Sequence, residues 1–292
     1  MSGIALTAAP PAASDSPGLL RRLAGNRSAA LGGVLLALVL GFAVVGPLLW
    51  PGDPWEMVAA PMLWPGEDMA NPLGTDVMGR DLATGLVSGA RVSLLIGLVA
   101  TLIAATIGTL FGALGGFYGG RTDAVLMRVT ELFQTVPTFV LAVVLVAVFR
   151  PSVTTAVLAI GIVSWPATAR LVRAQFLVLR DREFVLAAET LGMSTPRLIL
   201  TQILPNALPP VIAMSTLTIA HAIQTEAALS FLGLGDPNVM SWGTIIGGGR
   251  EQLTEAWYVC GLPGIAIIVT VLAFNLLGEG LNDALNPHLQ RR

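Results

Sequence analysis

A chain of 292 residues, 54% hydrophobic and only 12% charged, is too apolar for a water-soluble domain. All sixteen basic residues are arginine. The absence of lysine excludes a phosphate-binding P-loop and any lysine Schiff-base chemistry. The single cysteine, Cys260, excludes an intrachain disulfide and reads as a small packing residue heading an apolar run.

Residues 1–28 are rich in Ala, Pro and Ser and are expected to form a disordered tail, with Arg21, Arg22 and Arg27 before the first apolar run. Six largely apolar runs of about 20 residues follow, the length a bilayer requires. They are Ala29–Leu49, Val92–Gly115, Val125–Val148, Val153–Ala174, Ala207–Ala228 and Val259–Leu277, the fourth interrupted by Pro166. The pattern predicts an all-α membrane protein. The first run is too long for a signal-peptide core and no small-x-small site follows, so it reads as an uncleaved anchor.

With the N-terminus in the cytoplasm, residues 116–124, 175–206 and 278–292 fall inside. Twelve arginines then lie on the cytoplasmic side, and four (Arg80, Arg91, Arg150, Arg250) lie outside. This asymmetry follows the positive-inside rule and predicts both termini in the cytoplasm.

The segment 51–91 is acidic and rich in Pro and Trp, and Trp50, Trp55 and Trp64 suit a membrane-interface belt. Within it, Asn71-Pro-Leu-Gly-Thr-Asp76-Val-Met-Gly-Arg80-Asp81 combines two glycines with alternating Asp and Arg, as in a tight, charge-paired turn. Gly108, Gly112, Gly116 and Gly120 recur at every fourth residue and predict a groove for close helix packing.

Between the fourth and fifth runs, Glu183–Leu191 is a good helix-forming string, and Gly192 can close it in the left-handed conformation. Ser194 or Thr195 can cap a second helix with Pro196 in its first turn, ending where Pro205 interrupts it. Two short helices around a Gly turn form a compact knob at the membrane surface. In the fifth run, His221, Gln224 and Glu226 are polar groups inside an apolar span, where such groups are functional candidates by default. His221 has no second ligand nearby, so no metal site is expected. Glu226 either lines a path or satisfies a loop backbone.

The knob resembles the Glu-Ala-Ala loop of permease subunits in binding-protein-dependent ABC importers. Ala187, Ala188, Gly192 and Leu204-Pro205 match that pattern, whereas Leu186 stands at the family's Glu and Gln202 at its Ile. The stretch 71–81 resembles the His-Pro-Leu-Gly-Thr-Asp-x-x-Gly-Arg-Asp segment of the dipeptide/oligopeptide branch, with Asn71 replacing the His. Gly119-Gly-Arg-Thr-Asp123, Glu226-Ala-Ala-Leu-Ser-Phe-Leu-Gly-Leu-Gly235, Ser241-Trp-Gly243 and Asn275–Pro287 extend the likeness to residues 71–287, with Asn282 and Asn286 at positions usually charged.

The resemblance implies the type I importer permease fold: a first helix and outer loop over 29–91, a five-helix core over 92–287 with the knob at 183–205, and a short tail over 288–292. It implies ATPase coupling through Glu183, Leu186, Ala187, Ala188, Glu189 and Gly192. It further implies a translocation path past His221, Gln224 and Glu226, with Asp76, Arg80 and Asp81 either forming a turn or meeting a binding protein. The implied partners are a homologous second permease, two ATPase subunits or one two-domain ATPase, an external peptide-binding protein and the bilayer, with no nucleic acid. ATP and Mg would bind the ATPases, leaving no cofactor in this chain. The implied cargo is a dipeptide or oligopeptide, with a nickel complex, glutathione or haem as the alternative, and the implied location is the bacterial inner membrane. An intramembrane hydrolase would be expected to show His-Glu-x-x-His, Gly-x-Ser-x-Gly or a pair of Asp residues inside the spans, and none is present. An autonomous carrier would be expected to show inverted repeats, and the sequence has no such symmetry.

Overall fold

The computed structural model describes residues 25–285, so most of the expected N-terminal tail and the tail at 288–292 lie outside the described residues. Helix α1 spans Arg27–Leu49, and the Asn26 side chain caps it by accepting from the Ser28 and Ala29 amides. Leu31, Val34, Leu38, Val44 and Leu48 are exposed along it, as suits a helix facing lipid. Its packing side is narrow: Gly32 abuts Leu276 and Gly46 abuts Val87.

Helix α2 runs from Leu82 to Tyr118, ten residues longer at its start than the apolar run Val92–Gly115. The Asp81 carboxylate caps the additional turns by accepting from the Thr84 amide at 2.9 Å, and Leu82, Ala83, Leu86 and Val87 are buried there. Three of the four spaced glycines pack as expected. A Cβ on Gly108, Gly112 or Gly116 would collide with Thr168, Ala169, Val172 or Phe176 of the neighbouring helix. Gly120 differs: it begins the next helix at φ +52° with open space around it, so it serves a turn.

The expected third span is two helices, α3 (Gly120–Thr135) and α4 (Thr138–Phe149), bent by 81°. The cause is local. Pro137 has no N–H to continue the ladder, and Val136 before it is extended at φ −97°, ψ 131°. Helix α5 (Val153–Leu179) instead runs continuously through Pro166 and packs along α2.

The knob consists of α6 (Glu183–Thr190) and α7 (Thr195–Leu198). Its second half does not stop at Pro205 as expected. A π-helical turn over Ile199–Ile203 leads into α8 (Leu204–Phe231), with the Leu204 amide bonded to the Ile199 carbonyl. The wider turn accommodates a proline that lacks an amide proton. Two further helices follow. Short α9 (Trp242–Gly249), which composition alone did not announce, sits at the end of the bundle opposite the knob, and α10 (Trp257–Leu285) packs against α1 and α8.

Among the described residues, five helical stretches are long and apolar enough to cross a membrane, or six if the bent α3–α4 pair is one broken span. The architecture is an all-α membrane bundle, with the knob at one end and the 51–81 loop with α9 at the other.

Candidate functional site: a recess in the bundle and a knob at its end

At the knob, Val185 and Ala188 turn inward and join Val172, Phe176, Leu198 and Ile203 in one buried cluster. Glu183, Phe184, Leu186, Ala187, Glu189 and Leu191 remain exposed. Ala188 is thus a packing residue, and the outward small face is at Ala187. Gly192 adopts φ +82°, as its sequence context predicts. Its amide donates to the Glu189 carbonyl at 2.9 Å and that of Met193 to the Ala188 carbonyl at 3.1 Å, the double closure of a Schellman turn.

Two arginine contacts root this end of the molecule. Arg173 grips Asp123 through two hydrogen bonds of 2.5 and 2.6 Å, fastening α3 to α5. Arg180 donates to the Gly116 carbonyl at 3.2 Å and so ties the approach to the knob to the end of α2.

Midway along the bundle lies a recess of about 280 Å³. Three features of the chain produce it: the elbow between α3 and α4, Pro166 in α5, and a polar stretch of α8. Gln134, Thr138, Ser164, Thr218 and His221 supply its polar groups, among Val163, Pro166, Ala167, Met214 and Leu217. Leu217, His221, Gln224 and Phe231 are exposed and fall at spacings of four, three and seven residues, so they share one face of α8. An imidazole and a carboxamide on an otherwise apolar span are costly against lipid and belong beside water or protein. Of the recess-lining groups, only His221 stands out in the sequence. Gln134, Thr138, Ser164 and Thr218 are ordinary polar residues on separate helices, and only the tertiary fold gathers them.

Glu226 lies elsewhere. It is 5% exposed, and its Oε1 accepts from the Ser230 hydroxyl at 2.9 Å and the Ser241 hydroxyl at 2.7 Å. Ser241 also caps α9 by accepting from the Thr244 amide at 3.0 Å. The carboxyl therefore clasps α9 to α8, away from the His221–Gln224 face. Trp242 completes the joint, its amide donating to the Ser93 hydroxyl and its indole N–H to the Leu86 carbonyl.

In the loop, the two aspartates of the 71–81 stretch are engaged within the turn. The Asp76 carboxylate accepts from the amides of Met78 and Arg80, and Asp81 caps α2. Gly74 and Gly79 hold φ near +80°, with loop carbonyls filling the space a side chain would need. The Arg80 guanidinium stacks 4.5 Å from the Trp55 ring centre and lines a smaller pocket of about 90 Å³ with Asp76 and Thr244. Trp64 packs on Tyr258 with ring centres 5.1 Å apart, so Trp55 and Trp64 pin the loop. Asn71 is buried and donates to Asp68 at 2.8 Å. The Ala70 amide and the Asn71 side chain hold the Asp68 carboxyl below its usual range.

Comparison with known proteins places this geometry in a family. Residues 108–291 match the binding-protein-dependent transport system inner membrane component, and residues 18–72 match the N-terminal TM domain of oligopeptide transport permease C. The chain is 41% identical over 272 residues to a di/tripeptide transport system permease protein, DppC, of Pseudomonas aeruginosa, covering 91% of this chain and 90% of that protein. It is 42% identical to the dipeptide transport system permease protein DppC of Escherichia coli K12, covering 91% of both. Among solved structures, the MetNI methionine ABC transporter in an inward facing conformation has a chain that superposes with a TM-score of 0.57 at 18% identity. The match covers 69% of this chain and 96% of that one, and it shows the type I ABC importer permease fold. With the bundle of membrane-length helices, the knob and matches over more than half its length, the chain belongs to the family of inner membrane components of binding-protein-dependent transport systems, as a multi-pass permease subunit.

Proposed function

We propose that this permease forms half of a translocation pathway for dipeptides or short oligopeptides. The observation that carries the reading is the His221–Gln224 face of α8 beside the polar-dotted recess. Polar groups at membrane depth need a wet or proteinaceous partner, and a second, homologous permease closing over this face would enclose a channel between the two. The related permeases named for di- and tripeptide transport supply the cargo class.

Energy comes from elsewhere. The chain has no lysine for a P-loop, so ATP and Mg bind two partner ATPase subunits or one two-domain ATPase. The exposed side of α6, with Phe184, Leu186 and Ala187 flanked by Glu183 and Glu189, and Leu191 just past its end, meets those subunits in the cytoplasm. A binding protein delivers peptide to the opposite end, at the 51–81 loop and α9. Closure of the ATPases moves the knob, and the Arg173–Asp123 and Arg180–Gly116 links pass that motion to α2 and α3. The pathway then opens outward, and hydrolysis returns it to the inward-facing form.

The test is reconstitution of this chain in liposomes with its second permease, ATPases and binding protein. Dialanine should stimulate ATP hydrolysis and accumulate inside only when all components are present. Full stimulation with this chain omitted would overturn the assignment.

A further inference from the structure

The recess has a charged continuation that the polar stretch of α8 does not reveal. On α5, Val163, Pro166 and Ala167 line the recess. Arg170 lies three and four residues beyond Ala167 and Pro166, which places it on the same helical face, about 6 Å further toward the knob. Arg170 is exposed and makes no hydrogen bond or ion pair among the described residues. The next arginines along the chain are committed differently: Arg173 on α5 to Asp123, and Arg180 just past its end to the end of α2. The recess wall itself contains no aspartate, glutamate or lysine. A substrate leaving it toward the knob therefore meets hydroxyl, carboxamide and imidazole groups first, and then the Arg170 guanidinium on α5, across from the Arg128–Glu131 pair that lies one turn before Gln134 on α3.

We propose that Arg170 is a specificity-determining residue that takes the carboxylate end of the passing substrate, so that a short peptide moves toward the knob with its C-terminus leading. The inference rests on the pathway reading above. A guanidinium matches a carboxylate with two parallel N–H donors, and a low-dielectric wall without acidic groups lets that field reach into the recess. A lipid-headgroup anchor at this position would also use arginine. The two roles differ in whether the charge is felt inside the recess.

The experiment uses the reconstituted complex with Thr218→Cys in a Cys260→Ala background, and compares thiol modification by anionic and cationic methanethiosulfonates of similar size. With Arg170 present, the anionic reagent should be favoured. Arg170→Gln should lower the anionic-to-cationic rate ratio about threefold or more, and Arg170→Lys should keep it. Dialanine at millimolar concentration should protect the thiol better than dialaninamide, and Arg170→Gln should abolish that difference. Because Arg170 has no partner among the described residues, these substitutions leave the packing intact. A reactive thiol with an unchanged ratio, or equal protection by the two peptides with Arg170 intact, overturns the proposal and leaves the pathway reading standing. A thiol that never reacts in any nucleotide state overturns both.

Discussion

At Glu226, one carboxyl oxygen receives two serine hydroxyls from different elements, Ser230 in α8 and Ser241 at the start of α9. A glutamine can accept the same two bonds through its own oxygen, whereas an alanine removes the shared acceptor and leaves the Ser241 hydroxyl only its contact with Thr244. Loss of such partners costs about 1–3 kcal/mol. Glu226→Gln is therefore expected to transport at near-normal rates, and Glu226→Ala to unfold earlier in a thermal melt of the detergent-solubilised protein. A Glu226→Gln variant that assembles but fails to transport would give the carboxylate a direct role in the path. Its charge within an apolar run drew attention to this residue as a path candidate, but the sequence could not orient it. Glu226 and Gln224 are two positions apart on a helix, which turns them to different sides, and only the position of α9 shows which side is buried.

At the scale of the element, the knob converts sequence into geometry with few residues. The positive φ of Gly192 is what other residues adopt at a cost of roughly 1 kcal/mol or more, and no neighbour crowds that position. Gly192→Val therefore acts through the backbone alone and re-aims α6. Ala188 acts through packing: a leucine there would overfill the cluster with Phe176, Leu198 and Ile203, at about 1–3 kcal/mol. The expected pattern is that Gly192→Val inserts in the membrane but abolishes peptide-stimulated ATP hydrolysis. Leu186→Ala weakens it less, and Ala188→Leu lowers stability first. Stimulated hydrolysis at the normal rate in Gly192→Val would reduce the knob to a surface hairpin.

Whole helices were legible where their cause is local. Apolar runs of sufficient length announced the spans, the spaced glycines announced a close helix contact without naming its partner, and Gly192 announced the knob turn. What escaped depends on tertiary support. Trp242–Gly249 is half glycine and has poor intrinsic helix propensity, yet Trp242 is buried and bonded on two sides, and that fixes α9. The first turns of α2 contain Ser88, Gly89 and Arg91, which broke the apolar pattern without breaking the helix. Pro137 and Pro166 look alike in sequence, but one bends its span by 81° and the other sits within a continuous helix. The difference lies in the preceding residue, extended at Val136 and helical at Trp165.

On the scale of the molecule, the bundle divides its labour. α1 presents an apolar side suited to lipid, α2 and α5 pack through glycines into a stiff pair, and α5 with α8 and the α3–α4 elbow encloses the recess. Peptide is expected to pass through that recess. The direct measurement is photolabelling of the complete reconstituted complex, during turnover, with a diazirine-bearing dipeptide delivered by the binding protein, followed by mapping of the modified residues. Labels are expected on α5 and α8 around Ser164, Thr218 and His221, rising with ATP and falling when unlabelled dipeptide competes. Labels confined to the lipid-facing side of α1, or absent from this chain while transport proceeds, would contradict the account.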